Sequence, residues 1–103
     1  MSIERQTYFS LKKKSMTSAV SFLKLEEIQQ EYIHYLPEES KWSDLRLEFE
    51  CLDIRIYDVD SGIQFFRVKN NLYCRDSEVP IAAYISQHDV SGDLVDELID
   101  FYD

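Results

Sequence analysis

Asp58-Val59-Asp60-Ser61-Gly62 places two carboxylates just ahead of a glycine, which is how an oxygen-donor cation loop begins. The continuation does not fit. A calcium loop starting at Asp58 needs its glycine at position 63, where Ile63 stands, and its closing glutamate at position 69, where Lys69 stands. A hairpin turn, with Gly62 free to take a positive φ, is the expected use of this segment. Cys51 and Cys74 belong to no CxxC, and His34 and His88 have no Cys or His at ligand spacing, so free thiols and no metal site are expected. No glycine-rich phosphate loop, dinucleotide fingerprint or nucleophile elbow occurs. Carboxylates are plentiful, but nothing in their spacing pairs two of them for acid–base work. The chain is therefore expected to be neither an enzyme nor a cofactor carrier.

Charge is the more informative property. The 103 residues carry eleven Lys or Arg and twenty Asp or Glu, for a net charge of −9. The distribution is uneven. Residues 1–24 hold five basic residues and one acidic one, whereas residues 25–103 hold six basic and nineteen acidic ones. After Arg75 there is no Lys or Arg, and there are eight Asp or Glu. Direct contact with phosphate backbones is disfavoured over most of such a surface, while a basic partner is attracted to it. No run is long enough to span a membrane. No apolar segment follows the N-terminal charges, so a secretory signal is not expected and a cytoplasmic protein is.

The length suits one domain, residues 1–103, with a single core. Its scaffold is read at Leu45–Lys69. Leu45, Leu47, Phe49 and Cys51 alternate with Arg46, Glu48 and Glu50, the period of a strand with one wet face. At Cys51-Leu52 the phase flips, and Leu52, Ile54 and Ile56 become the apolar positions. A one-residue slip would send half the strand to the wrong face, so a β-bulge near Cys51 is expected, with a break into two strands as the alternative. A return strand follows from Ile63. Asn70-Asn71 reads as a second tight turn, and Leu72–Arg75 as a short third strand.

The helical segments are read around this sheet. Thr7–Leu11 reads as a short strand, followed by Lys12-Lys13-Lys14 as a basic turn or an edge device. Over residues 18–36 the wheel gathers Phe22, Leu25, Ile28, Tyr32, Ile33, Tyr35 and Leu36 on one side, ending at Pro37, although residues 18–24 also fit a strand. His34 falls on the wet face. Ser77–His88 reads as a short helix, although residues 79–85 also fit a strand. Ser91 is placed as the N-cap of a C-terminal helix, with Leu94, Val95, Leu98, Ile99 and Tyr102 on one stripe and Asp93, Asp96, Glu97, Asp100 and Asp103 on the other. The expectation is an α+β domain: an antiparallel meander of three to four strands packed by a helix from the N-terminal half and a C-terminal amphipathic helix.

Two kinds of function follow. The first is a small acidic inhibitor or regulator that docks its carboxylates on a basic protein, for instance a nuclease or another nucleic-acid-binding protein. Phosphate-mimicking anti-restriction and anti-CRISPR proteins, and the immunity proteins of nuclease toxins, share this size and charge. That is a likeness of type and rests on no motif. The candidate partner-binding residues are Asp93, Asp96, Glu97, Asp100 and Asp103, then Asp58 and Asp60, with Trp42 and Tyr102 as rim anchors. For Trp42 a lid on the core edge is the preferred reading, with the partner anchor as its alternative. The second is an assembly module that forms a homodimer through its sheet, with the acidity serving solubility alone.

Overall fold

The computed structural model describes residues 3–102. Helix α1 (Arg5–Leu23) leads into a short α2 (Glu26–Glu31) and a single 3-10 turn, Ile33–Tyr35. A second such turn, Trp42–Asp44, opens onto strands β1 (Leu45–Asp58), β2 (Ile63–Cys74), β3 (Ala82–His88) and β4 (Leu94–Phe101). The strands form one antiparallel meander in the order β1-β2-β3-β4, and α1 packs against β1, β2 and β3. The class is α+β with a meander, as expected, but several elements differ from the sequence reading.

The β1–β2 hairpin is the part that local pattern determines. Phe49 pairs with Asn70 and Cys51 with Lys69, so Glu50 is the extra residue of a bulge. Leu45, Leu47 and Phe49 face α1 before it, and Leu52 and Ile54 after it. A second register shift lies between Ile56 and Asp58. The turn closes as expected, with Asp58 Oδ1 accepting the backbone N–H groups of Asp60 and Ser61 and Gly62 at φ 73°. The Ser61 side chain first, and then these backbone bonds, hold the Asp58 carboxyl below its ordinary range. β3 reaches along β2 only as far as the Phe66–His88 pair, so the tip of the hairpin extends as an arm, with Val59 82% exposed.

Asn70-Asn71 is not a turn. Both residues are buried in the middle of a continuous β2, and the strand read over Leu72–Arg75 is the end of β2. The residues read as a strand at Thr7–Leu11 and a basic turn at Lys12–Lys14 lie inside α1. The helix read over 18–36 is the end of α1, a break at Lys24 and Leu25, and α2. The α1 contact stripe is Leu11, Ser15 and Ala19, spaced by four residues. Two of the three are small and one is polar, so the helix shows little amphipathic contrast, yet small residues allow close approach to the sheet. Ser15 is satisfied by Ser86 and Asn70 across the interface.

Both C-terminal segments are strands: over 79–85 the strand alternative replaces the helix, and the C-terminal helix is corrected to a strand. Ser77–His88 contributes β3, in which Ala82, Tyr84, Ser86 and His88 are buried on the α1 side. The segment read as the C-terminal helix contributes β4 (Leu94–Phe101). Ser91 caps no helix: it lies in the β3–β4 turn, where Asp89 Oδ1 accepts the N–H groups of Ser91 and Asp93 and Gly92 sits at φ 89°. A β-carbon at Gly92 would also stand 2.9 Å from Lys14 Nζ. Asp89-Val90-Ser91-Gly92 thus repeats the chemistry of Asp58–Gly62: an aspartate that caps, then a glycine with positive φ three or four residues on.

The core has two centres. Ala19, Leu72, Ala82, Tyr84 and Ile99 form one, with Phe22, Tyr32 and Phe101 packed against it. Leu11, Phe66 and Val68 form the other. No helix among the described residues is long and apolar enough to cross a membrane.

Candidate functional site

The carboxylates picked from the sequence do not form one helix face. In β4 they alternate about the strand. Asp96 and Asp100 pair with Gln87 and Ala83 and point to the face away from α1, whereas Glu97 pairs with Ser86 and points to the helix side. Glu97 Oε1 accepts the Tyr84 hydroxyl proton at 2.8 Å. Burial first, and then this carboxylate, push the Tyr84 phenol far above its ordinary range. Glu97 therefore anchors a core side chain. Asp93, Asp96 and Asp100 are exposed. Asp93 lies at the β3–β4 turn and Asp100 at the opposite end of the strand, a span of roughly 23 Å at the rise of an extended chain. Asp58 and Asp60 sit on the tip of the β1–β2 arm, beyond the last β2–β3 pair. Asp103 lies outside the described residues.

β4 is the outer strand, and its outward edge has no strand partner among the described residues. Leu94, Val95 and Leu98 are exposed along it, between the carboxylates. On the same face as Asp96 and Asp100, β2 presents Lys69. Its ammonium is 3.1 Å from Glu50 Oε2 and 5.7 Å from the centre of the Tyr102 ring. Glu50 and Tyr102 both hold the Lys69 pKa up. The Tyr102 hydroxyl donates to Asn71 Oδ1 at 2.9 Å. Tyr102 is thus fastened to the sheet, although part of its ring remains accessible.

Trp42 is half-buried in the turn before β1. It divides two clefts. One, of about 310 Å³, is lined by Val20, Leu23, Gln29, Leu45 and Leu47 among others, and the second, of about 380 Å³, by Glu26, Gln29, Gln30 and Ile33. The Trp42 Nε1 atom is buried without a hydrogen-bond partner. His34 is exposed. Cys51 and Cys74 are free thiols, Cys74 donating to Ser40 Oγ at 3.3 Å. Burial, with Asp53 and Glu50 nearby, pushes the Cys51 thiol up and away from thiolate chemistry.

A polar chain crosses the interface between α1 and the sheet. Asn70 Nδ2 donates to Ser15 Oγ at 2.8 Å, Ser15 and Ser86 are 2.6 Å apart, Ser86 lies 2.9 Å from His88 Nε2, and His88 Nδ1 is 3.1 Å from the Gly92 carbonyl. The carbonyl can only accept, so Nδ1 carries the proton and the chain runs one way: Asn70 to Ser15 to Ser86 to His88 Nε2. A serine beside a histidine is the geometry of an activated nucleophile. Here Ser86 is 0% exposed, so its hydroxyl meets no substrate in this conformation. His88 borders a cleft of about 460 Å³ that Lys13, Lys14, Thr17 and Asp93 also line. Among the described residues, no three His, Cys, Asp or Glu side chains are grouped to hold a metal ion.

At the end where β4 finishes, Tyr32, Tyr35 and Phe101 pack together, with ring centres 6.0 Å (Tyr32–Tyr35), 5.5 Å (Tyr32–Phe101) and 4.9 Å (Tyr35–Phe101) apart. Both tyrosines precede Pro37, and the sequence reading placed them on a buried helix face. Tyr35 is in fact 59% exposed. The missed signal is composition: residues 25–40 hold Glu26, Glu27, Glu31, Glu38 and Glu39, and no Lys or Arg.

No protein-family model, curated protein or solved structure matches this chain.

Proposed function

We propose that this is a small acidic binding protein, an inhibitor or regulator, that docks on a basic protein partner, with the β4 edge as the centre of contact. One observation carries the reading: an edge strand with no outer strand partner among the described residues exposes Asp93, Asp96 and Asp100 together with Leu94, Val95 and Leu98. A sheet edge offers main-chain donors and acceptors to another extended segment. Carboxylates along it repel a second copy of the same edge and favour a segment rich in Lys or Arg. The overall charge of −9 steers the same class of partner. A nucleic-acid-binding protein such as a nuclease fits, since its own binding surface is basic. The action is binding without catalysis or cofactor, in the cytoplasm, with no direct contact to nucleic acid or membrane.

The test is capture of the partner at low salt, followed by measurement of its affinity across a salt series. Asp96→Asn and Asp100→Asn are each expected to weaken binding by about 0.5–1 kcal/mol and to flatten the salt dependence. An affinity that is the same in both variants and at high salt would rule the reading out.

The homodimer reading keeps one supporting observation. The β1–β2 arm exposes Ile56, Tyr57, Val59 and Ile63, and β1 is the other edge of the sheet. A sedimentation dimer insensitive to salt, and lost on Val59→Asp with Ile63→Asp, is what this alternative expects.

A further inference from the structure

The protein covers several of its accessible aromatic rings with its own cations. Arg5 lies over Phe9 at 5.5 Å, Lys12 over Phe49 at 4.7 Å, Arg46 over Tyr73 at 4.7 Å and Lys69 over Tyr102 at 5.7 Å. Among the described residues, the Tyr32–Tyr35–Phe101 cluster has no such cover. Within residues 25–40 five glutamates are accompanied by no Lys or Arg, and Arg75, which reaches the segment, is engaged by the Glu39 carbonyl at 2.8 Å and by Asp44 at 3.7 Å. An aromatic face attracts a cation through its quadrupole, and surrounding carboxylates raise the local cation concentration. The pair Tyr57 with Phe65 differs in already having cations on the adjoining strands: Arg55 pairs with Phe65, and Arg67 lies two residues further along β2.

Ring geometry selects the cation. Centres 4.9 to 6.0 Å apart leave no room for an ammonium group between the rings, so the cluster is not a cage. It offers a face, chiefly that of Tyr35. A planar, weakly hydrated guanidinium stacks flat on such a face while its edge donors reach carboxylates, whereas a strongly hydrated ammonium gains less.

We propose that the Tyr32–Tyr35–Phe101 cluster, within the acidic segment 25–40, is the anchor for an arginine side chain of the basic protein partner. This rests on the docking reading above and adds the residue type that the partner must present.

The probes are hexa-arginine and hexalysine peptides of equal charge, titrated calorimetrically at low salt into the full chain. Hexa-arginine is expected to bind about three- to tenfold more tightly. Tyr35→Leu, which keeps an apolar contact to Phe101 but removes the ring face, is expected to reduce hexa-arginine affinity to the hexalysine level and leave hexalysine unchanged. Tyr35→Phe is expected to retain the preference. Tyr35 is largely exposed, and unchanged circular dichroism checks that the variants fold. Equal binding of both peptides, indifferent to Tyr35, overturns the arginine site and leaves the acidic docking surface standing. Binding of neither peptide overturns both.

Discussion

Tyr84→Ala is expected to remove about 3–5 kcal/mol of stability, a large share of the roughly 5–15 kcal/mol that holds a domain of this kind together. Tyr84 has no exposed surface and is central to the larger core cluster. Its ring lies 5.5 Å from that of Phe22 on α1, while its backbone pairs with Asn70 on β2 and Ile99 on β4. Removing it opens a cavity where the helix and three strands meet, and the neighbours can close only part of it. Tyr84→Phe separates the two contributions. It deletes the hydroxyl that donates to Glu97 and leaves the packing, so a loss of only about 0.5–1.5 kcal/mol is expected. Urea unfolding of both variants checks this. If the alanine and phenylalanine variants lose similar amounts, the hydrogen bond and not the ring is what matters at this position.

Stability is also expected to fall as the pH drops below about 6.5, and His88 is the reason. Burial lowers its pKa, and Lys14 lowers it further, while the bond to the Gly92 carbonyl and the charge of Asp89 act the other way. The folded-state pKa lies below the unfolded value, so below about 6.5 the unfolded chain binds more protons than the folded one. The stability associated with neutral His88 is thus complete above that pH and is lost as pH falls toward the folded pKa. The slope in that window is at most about 1.4 kcal/mol per pH unit, the figure for one proton. The polar chain gives the cost a structural form. A protonated His88 donates from both nitrogens, so Ser86 must turn its proton toward Ser15, and Ser15 toward Asn70. Asn70 then has to rotate its amide to bring Oδ1 into the chain. In the neutral state Oδ1 is a buried atom without a partner, and after rotation Nδ2 inherits that position. Asp58 acts in a separate window. Its depressed carboxyl adds stability above its ordinary pKa of 3.8 that is lost at more acid pH. Denaturant titrations between pH 5 and 7, above that carboxylate range, isolate the histidine. His88→Gln is expected to abolish the slope there, and an unchanged slope in that variant would place the titration elsewhere.

The hairpin was legible because its signals are local. The odd-to-even slip at Cys51 requires an extra residue, and Glu50 is that residue. β3 fits either a helix or a strand on sequence, and β4 is corrected from a helix, for a related reason. Leu94, Val95, Leu98, Ile99 and Tyr102 satisfy a helical stripe, but Glu97, Ile99 and Phe101 satisfy a strand equally well, and a short apolar set does not separate the two periods. The turn Asp89–Gly92 contained the deciding signal, because Asp58–Gly62 had already been read as a hairpin from the same residues. Once β4 is a strand, the acidic stripe divides between two faces. Glu97 becomes an internal anchor, and the exposed edge takes over from the helix face as the candidate surface. The aromatic end was missed because Tyr32 and Tyr35 were assigned to burial by a wheel drawn through residues that break into α1, α2 and a 3-10 turn.

By itself the sequence determined the long bulged hairpin, the α+β class and the segregation of basic charge into the first 24 residues, since each depends on neighbours in the chain or on composition. Only the tertiary structure decided that residues 5–23 are one helix and that it seats on Ser15 and Ala19. The reason is that small and polar residues carry no burial signal of their own. Ser15 meets Asn70 at a separation of 55 positions and Ser86 at 71, and becomes a core residue only when both arrive.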